Sequence, residues 1–210
     1  MSLDLEFVVA IRPFTKLNEC GDFAIHVKAT DHSYLMIGDL GGHGHPILGQ
    51  AVQVLEALFR QHCHLPLTEL FEKIRQDAFV QDFGIALLIA DYQIKTKKLD
   101  FIAMGNLQIH HWQHNWHKVW TQKGVLSLYL PGTAQVHSLG LAKGDTLMVL
   151  TDGVDVNKCL LDFDWPLSAT ALQHSAQQLV EQYGTHTDDE MCVLIKVVEL
   201  GAVNNADLNG

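Results

Sequence analysis

The stretch Asp39-Leu40-Gly41-Gly42-His43-Gly44 constrains this chain more than any other. Ahead of it, Ser33 to Gly38 is mostly apolar and bounded by polar residues, the pattern of a buried strand. From Pro46 the period becomes helical, with Ile47, Leu48, Ala51, Val52, Leu55, Leu58 and Phe59 on one face. A carboxylate is therefore delivered to a strand end, where glycines at three of the next five positions let the backbone fold closely around it. That geometry suits a metal held by one carboxylate and a neighbouring backbone carbonyl. Taken alone, the stretch also fits a tight strand-to-helix turn in which Asp39 helps to cap the helix.

Composition narrows the choice. A hydrophobic content of 48% with only 5 Pro over 210 residues describes a chain that buries a sizeable core. A formal net charge of −10 argues against a nucleic-acid binder or a surface that seeks anionic lipid. An acidic protein acting on phosphate needs a local source of positive charge, which a metal would supply. The amino-terminal apolar run Phe7 to Ile11 is too short for a signal or a span. Cys20, Cys63, Cys159 and Cys192 are scattered without a Cys-x-x-Cys pair and read as reduced core residues of a cytoplasmic protein.

In chain order, strands are expected at Phe7–Phe14, through Phe23, Ile25 and Val27, and up to Asp39, followed by helices from Ile47 to about Cys63 and from Thr68 to Ala78. Ile85–Ala90, Leu99–Met104 and Leu107–Trp112 then read as an antiparallel meander, with Gly105-Asn106 as a two-residue hairpin turn. Trp116–Trp120 and Val136–Leu139 offer further strands, and Thr146–Leu150 ends at Thr151-Asp152-Gly153. A helix from about Ser168 to Tyr183 precedes a last strand, Met191–Val198. One domain over 1–200 and a frayed polar tail over 201–210 are expected.

Asp39 and Asp152 each follow an apolar strand and precede glycine, and Asp188 precedes a strand. Carboxylates clustered at sheet ends repel one another, and a divalent cation removes that objection. Oxygen ligands without a Cys/His set favour Mg²⁺ or Mn²⁺ over zinc.

With these residues in view, Gly38-Asp39-Leu40-Gly41-Gly42-His43-Gly44-His45-Pro46 resembles the Asp-x-Ser-Gly-His-Gly-x-Pro signature of bacterial serine phosphatases of the metal-dependent PPM/PP2C superfamily, in its sporulation and sigma-factor-regulator branch. Cys20-Gly21-Asp22-Phe23 resembles that branch's Gly-Gly-Asp-Tyr element. Lys143 to Val154 resembles its Gly-Asp-x-Leu…Thr-Asp-Gly-Val element, and Thr187 to Met191 its closing Asp-Asp-x-Thr. Gly41 and Met191 depart from the usual Ser and Thr.

The resemblance implies an α+β fold, an α-β-β-α sandwich of two antiparallel sheets flanked by helices. It also implies two divalent cations, Mn²⁺ or Mg²⁺: Asp39 bridging them, the Leu40 carbonyl on one, Asp152 and Asp188 on the other, and Asp22 as an additional or outer ligand. The implied reaction is hydrolysis of phosphoserine or phosphothreonine by a metal-activated water. The implied partner is a phosphorylated anti-sigma-antagonist or stressosome-type protein, with no nucleic acid and no membrane. A catalytically weak scaffold and a small-molecule phosphatase are the alternatives. No basic residue near the amino-terminal motifs stands out as a phosphate grip, and neither His43 nor His45 is assigned as a general acid.

His110, His111, His114 and His117, interleaved with Trp112, Trp116 and Trp120, alternate between faces of a strand and read as a surface hairpin with aromatic packing. That hairpin and the helix after Pro46 are the candidate docking surfaces.

Overall fold

A computed structural model describes residues 3–127, 134–162, 165 and 167–199. The expected tail at 201–210 lies outside the described residues. Among the described residues, ten strands form two five-stranded sheets. The first sheet has the order β1 (Leu3–Arg12), β10 (Glu190–Glu199), β9 (Thr146–Leu150), β6 (Gln108–Trp112) and β7 (Trp116–Lys118). The second has β2 (Asp22–Lys28), β3 (His32–Leu40), β4 (Ile85–Gln93), β5 (Lys98–Met104) and β8 (His137–Gly140). Every named pairing is antiparallel. Helices α1 (Leu48–His62), α2 (Leu67–Arg75) and α3 (Ala78–Phe83) cover the second sheet. Helices α4 (Val156–Asp162) and α5 (Leu172–Tyr183) cover the first. This is the α-β-β-α sandwich that the resemblance implied.

The sandwich explains why central strands read as unbroken apolar runs rather than alternating ones. On β4, Ala86, Leu88 and Ala90 face the other sheet, while Ile85, Leu87 and Ile89 pack under the helices. On β10, Val193, Ile195 and Val197 face inward and Cys192 and Leu194 meet α5. Both faces of such a strand are dry, so both must be apolar.

The meander expectation fails at one point. Gly105-Asn106 is not a hairpin turn, because β5 pairs with β4 and β8 while β6 pairs with β9 and β7 in the other sheet. The chain crosses between sheets there. Gly105 has φ +105°, and a Cβ on it would lie 2.4 Å from the Ala86 side chain, so glycine is required for the crossing. Hydrophobic period is the same in either sheet and carries no information about which one a strand joins.

Smaller differences have local causes. Pro13 ends β1 before Phe14. The second helix follows Pro66 at its N-cap, puts Thr68 in its first turn rather than at its cap, and stops at Arg75. Two short helices lie outside the expectation: α3, capped by the Asp77 carboxylate accepting from the Phe79 amide at 2.9 Å, and α4. The segment 168–183 is helical as expected from Leu172, preceded by a 3₁₀ turn at Ala169–Ala171.

The β6–β7 hairpin exists, but its histidines are not all on the surface. His110 and His111 are buried; His111 Nε2 lies 2.9 Å from Asp145 Oδ2, and His110 meets the edge of Trp116. Trp116 is itself packed, its ring against those of Trp165 and Trp112. Among the described residues no helix is long and apolar enough to cross a membrane.

Candidate active site

Three strand ends converge at one end of the sandwich. β3 carries Asp39 and Leu40, the turn after β9 carries Asp152, and the turn before β10 carries Asp188. Asp39, Leu40, Asp152 and Asp188 line one pocket of about 170 Å³, together with Gly41, Gly42, His43 and Asn106. Of the expected metal ligands, only Asp22 stays outside that pocket. It sits directly across the ladder from Asp39, buried, with Oδ2 accepting from Thr151 Oγ1 at 2.8 Å.

The glycines keep this pocket open. Gly42 and Gly44 have φ of +93° and +73°, a conformation side chains resist. A Cβ on Gly41 would lie 2.6 Å from the Phe83 carbonyl. The usual serine of the motif therefore cannot replace Gly41 without moving the turn before β4. Met191 is fully buried, and its amide donates to Thr151 Oγ1 at 2.9 Å, so the turn carrying Asp188 is tied to β9 without the usual threonine.

The electrostatics are those of crowded carboxylates. Burial, followed by the charges of Asp152 and Asp188, pushes Asp39 up to about 7. Burial and the Asp39 charge hold Asp22 well above the usual carboxylate range, against the Thr151 hydrogen bond. Asp188 is raised by burial, opposed by the Asp189 amide and by His43, whose Nδ1 lies 3.3 Å from Asp188 Oδ1.

The donor set fits a hard cation. The side chains expected to bind it offer oxygen only, and Asp22 Oδ1 is buried without a hydrogen-bond partner. Among the described residues, no three His, Cys, Asp or Glu side chains are drawn closely enough together to hold an ion by themselves. Mg²⁺ keeps several waters and needs only one or two carboxylates, so oxygens set around a small pocket meet its demand. The thiols offer nothing comparable: all four cysteines are buried, and burial pushes Cys159 up to about 12.

Three residues near the pocket carry roles that the motifs did not reveal. Asn106 Nδ2 donates to Asp152 Oδ2 at 2.7 Å. Asp189, next to Asp188 in sequence, points away into the protein and accepts the amides of Phe14 (2.8 Å) and Gly21 (2.9 Å). Arg12, unremarked in the sequence, lines a neighbouring pocket with Asp188 and is paired with Glu190. The hairpin reading hides Asn106, and the inward turn of Asp189 has no signal in a pair of adjacent aspartates.

Two antiparallel sheets flanked by helices, with carboxylates at the strand ends, are the arrangement that the resemblance to PP2C-type phosphatases implied. A family model for stage II sporulation protein E (SpoIIE) matches residues 29–198, and the chain belongs to that family. No curated protein matches the chain in sequence. Among solved structures, one from the bacterial stressosome, described as a modular system adapted to control secondary messenger signaling, is 18% identical, with a TM-score of 0.78 over 92% of this chain and 100% of that one. RsbX in complex with magnesium is 15% identical, with a TM-score of 0.71 over 94% of this chain and 100% of its own. The catalytic domain of the serine threonine protein phosphatase PstP, in complex with two manganese ions, is 14% identical, with a TM-score of 0.63 over 94% and 100%.

Proposed function

We propose that this chain is a metal-dependent protein serine/threonine phosphatase that acts on a phosphorylated regulatory protein of the anti-sigma-antagonist or stressosome type. The observation that carries the reading is the convergence of Asp39, Leu40, Asp152 and Asp188 on one small pocket, in a chain of the SpoIIE family. The magnesium in RsbX and the two manganese ions in PstP support Mg²⁺ or Mn²⁺ here. The similarity to a stressosome structure supports the class of partner.

In this reading Asp39, the Leu40 carbonyl, Asp152 and Asp188 would hold the cations, with Asp22, opposite Asp39 on the ladder, as an additional or outer ligand. When bound, the cations supply Lewis-acid charge and a water acidic enough to be hydroxide at neutral pH. The residues do the positioning. Asn106 occupies one oxygen of Asp152 and so fixes which oxygen is left for the pocket. The Gly41-Gly42 backbone leaves room for a phosphoryl group, and Ala86 and Val125 form an apolar wall. Turnover of a phosphoserine protein with and without Mn²⁺, after stripping with chelator, tests the reading; metal-independent turnover would refute it.

A further inference from the structure

Beside the carboxylate pocket runs a larger groove of about 690 Å³, and the reaction proposed above makes no use of it. One wall is α1, through Val52 and Gln53; the floor is β2, through Phe23 and Ala24; Leu17 stands at the rim, 74% exposed. β2 is the outermost strand of its sheet, and among the described residues no strand pairs with its second edge. The ladder phase says which backbone groups lie on that edge. The Leu40 amide donates to the Gly21 carbonyl at 3.1 Å, with Asp22 opposite Asp39. In an antiparallel ladder this turns Phe23 and Ile25 toward β3 and the amide and carbonyl of Ala24 toward the groove.

We propose that the groove takes an extended, neutral or basic segment of the phosphoprotein substrate, which adds as a strand alongside β2 and leads its phosphoserine to the carboxylate pocket. The proposal rests on the phosphatase reading. An exposed edge between a strand and a helix is the geometry of peptide recognition by strand addition, where main-chain bonds supply affinity and the walls supply selectivity. Charge chooses the segment. The lining holds no cationic side chain, and Glu56 is its carboxylate outside the metal site, in a chain of net charge −10. Arg60, bonded to Glu56 at 2.9 Å, stands one helical turn away. Continuity with the site chooses the partner, because Asp22 lines the groove while its ladder partner Asp39 lines the pocket.

The test uses the full chain with Mn²⁺ and synthetic fifteen-residue peptides carrying one central phosphoserine. Basic flanks should give a kcat/KM about tenfold above acidic flanks. N-methylation of alternate backbone amides should abolish that advantage in one of its two phases and not in the other, because a strand presents only alternate residues to its neighbour. Gln53→Arg, an exposed helix position, should lose about fivefold or more on the basic peptide while leaving aryl phosphate turnover within about twofold. Hydrogen exchange read on the peptide-bound protein should slow at the Ala24 amide and not at Phe23 or Ile25. Equal use of both flanks, equal effects of both N-methyl phases, or an unprotected Ala24 would overturn the proposal. Protection of Ala24 that grows with protein concentration and needs no peptide would assign the edge to a second copy and also overturn it. Loss of all aryl phosphate turnover would instead count against the phosphatase reading, since the exchange measurement does not depend on it.

Discussion

Asn106 and Asp152, 46 positions apart and delivered by different connections, meet at 2.7 Å in the carboxylate pocket. The contact exists because Gly105 lets the chain leave one sheet for the other directly over Ala86. A carboxylate with one oxygen held by an amide keeps a single orientation. Asn106→Ala is therefore expected to weaken Mn²⁺ activation about tenfold or more, the usual cost of removing a ligand's outer partner. Titration of activity against free Mn²⁺ checks this; an unchanged half-saturation point would remove Asn106 from the site.

A pH dependence follows from Asp39. Its folded-state value, raised to about 7 by burial and then by Asp152 and Asp188, lies above the ordinary 3.8. Between those values the folded protein keeps a proton that the unfolded chain has released, so stability falls as pH rises through that window. In chelator, Tm should be higher at pH 5 than at pH 7.5, and Asp39→Asn should reduce the difference. Added Mn²⁺ should restore Tm at pH 7.5. A metal-free protein that gains stability over the same range would contradict the crowding of these carboxylates.

Asp189 is expected to matter for folding rather than chemistry. Its two oxygens satisfy the amides of Phe14 and Gly21, and removal leaves both without that acceptor. Asp189→Ala should cost about 2–3 kcal/mol by chemical denaturation, in the range for orphaned buried donors. A stability within about 0.5 kcal/mol of the parent, the range of an ordinary surface change, would show that water replaces the clamp at no cost.

Trp116 is a docking candidate in the sequence, and the structure makes it a packing residue. Its ring lies 4.5 Å from that of Trp165 and 5.4 Å from that of Trp112. Trp116→Ala should destabilise by about 2–3 kcal/mol, less than the loss at a fully buried aromatic, and should affect protein and aryl phosphate substrates alike. A selective loss on the protein substrate would return the hairpin to a docking role.

Most of the sandwich was legible because its strands carry their burial in their own residues: Leu35, Met36 and Ile37 are apolar because both faces of β3 are covered. The aspartates were legible because glycines and strand ends surround them. Sheet membership was not, since nothing local to Leu99–Met104 or Leu107–Trp112 distinguishes one sheet from two. The burial of His110 and His111 was hidden for a similar reason. Their partners, Trp116 and Asp145, come from other strands and turns, and polar residues otherwise read as surface.

The most direct test of the proposed chemistry is Asp39→Asn assayed at saturating Mn²⁺ on a phosphoserine protein. The expected result is a fall in kcat/KM of about 10³ or more, roughly 4 kcal/mol of transition-state stabilisation, in a protein that stays folded and gains stability without metal. Activity within about tenfold of the parent at saturating Mn²⁺, a loss of only about 1.4 kcal/mol, would contradict the bridging role of Asp39 and with it the proposed metal centre.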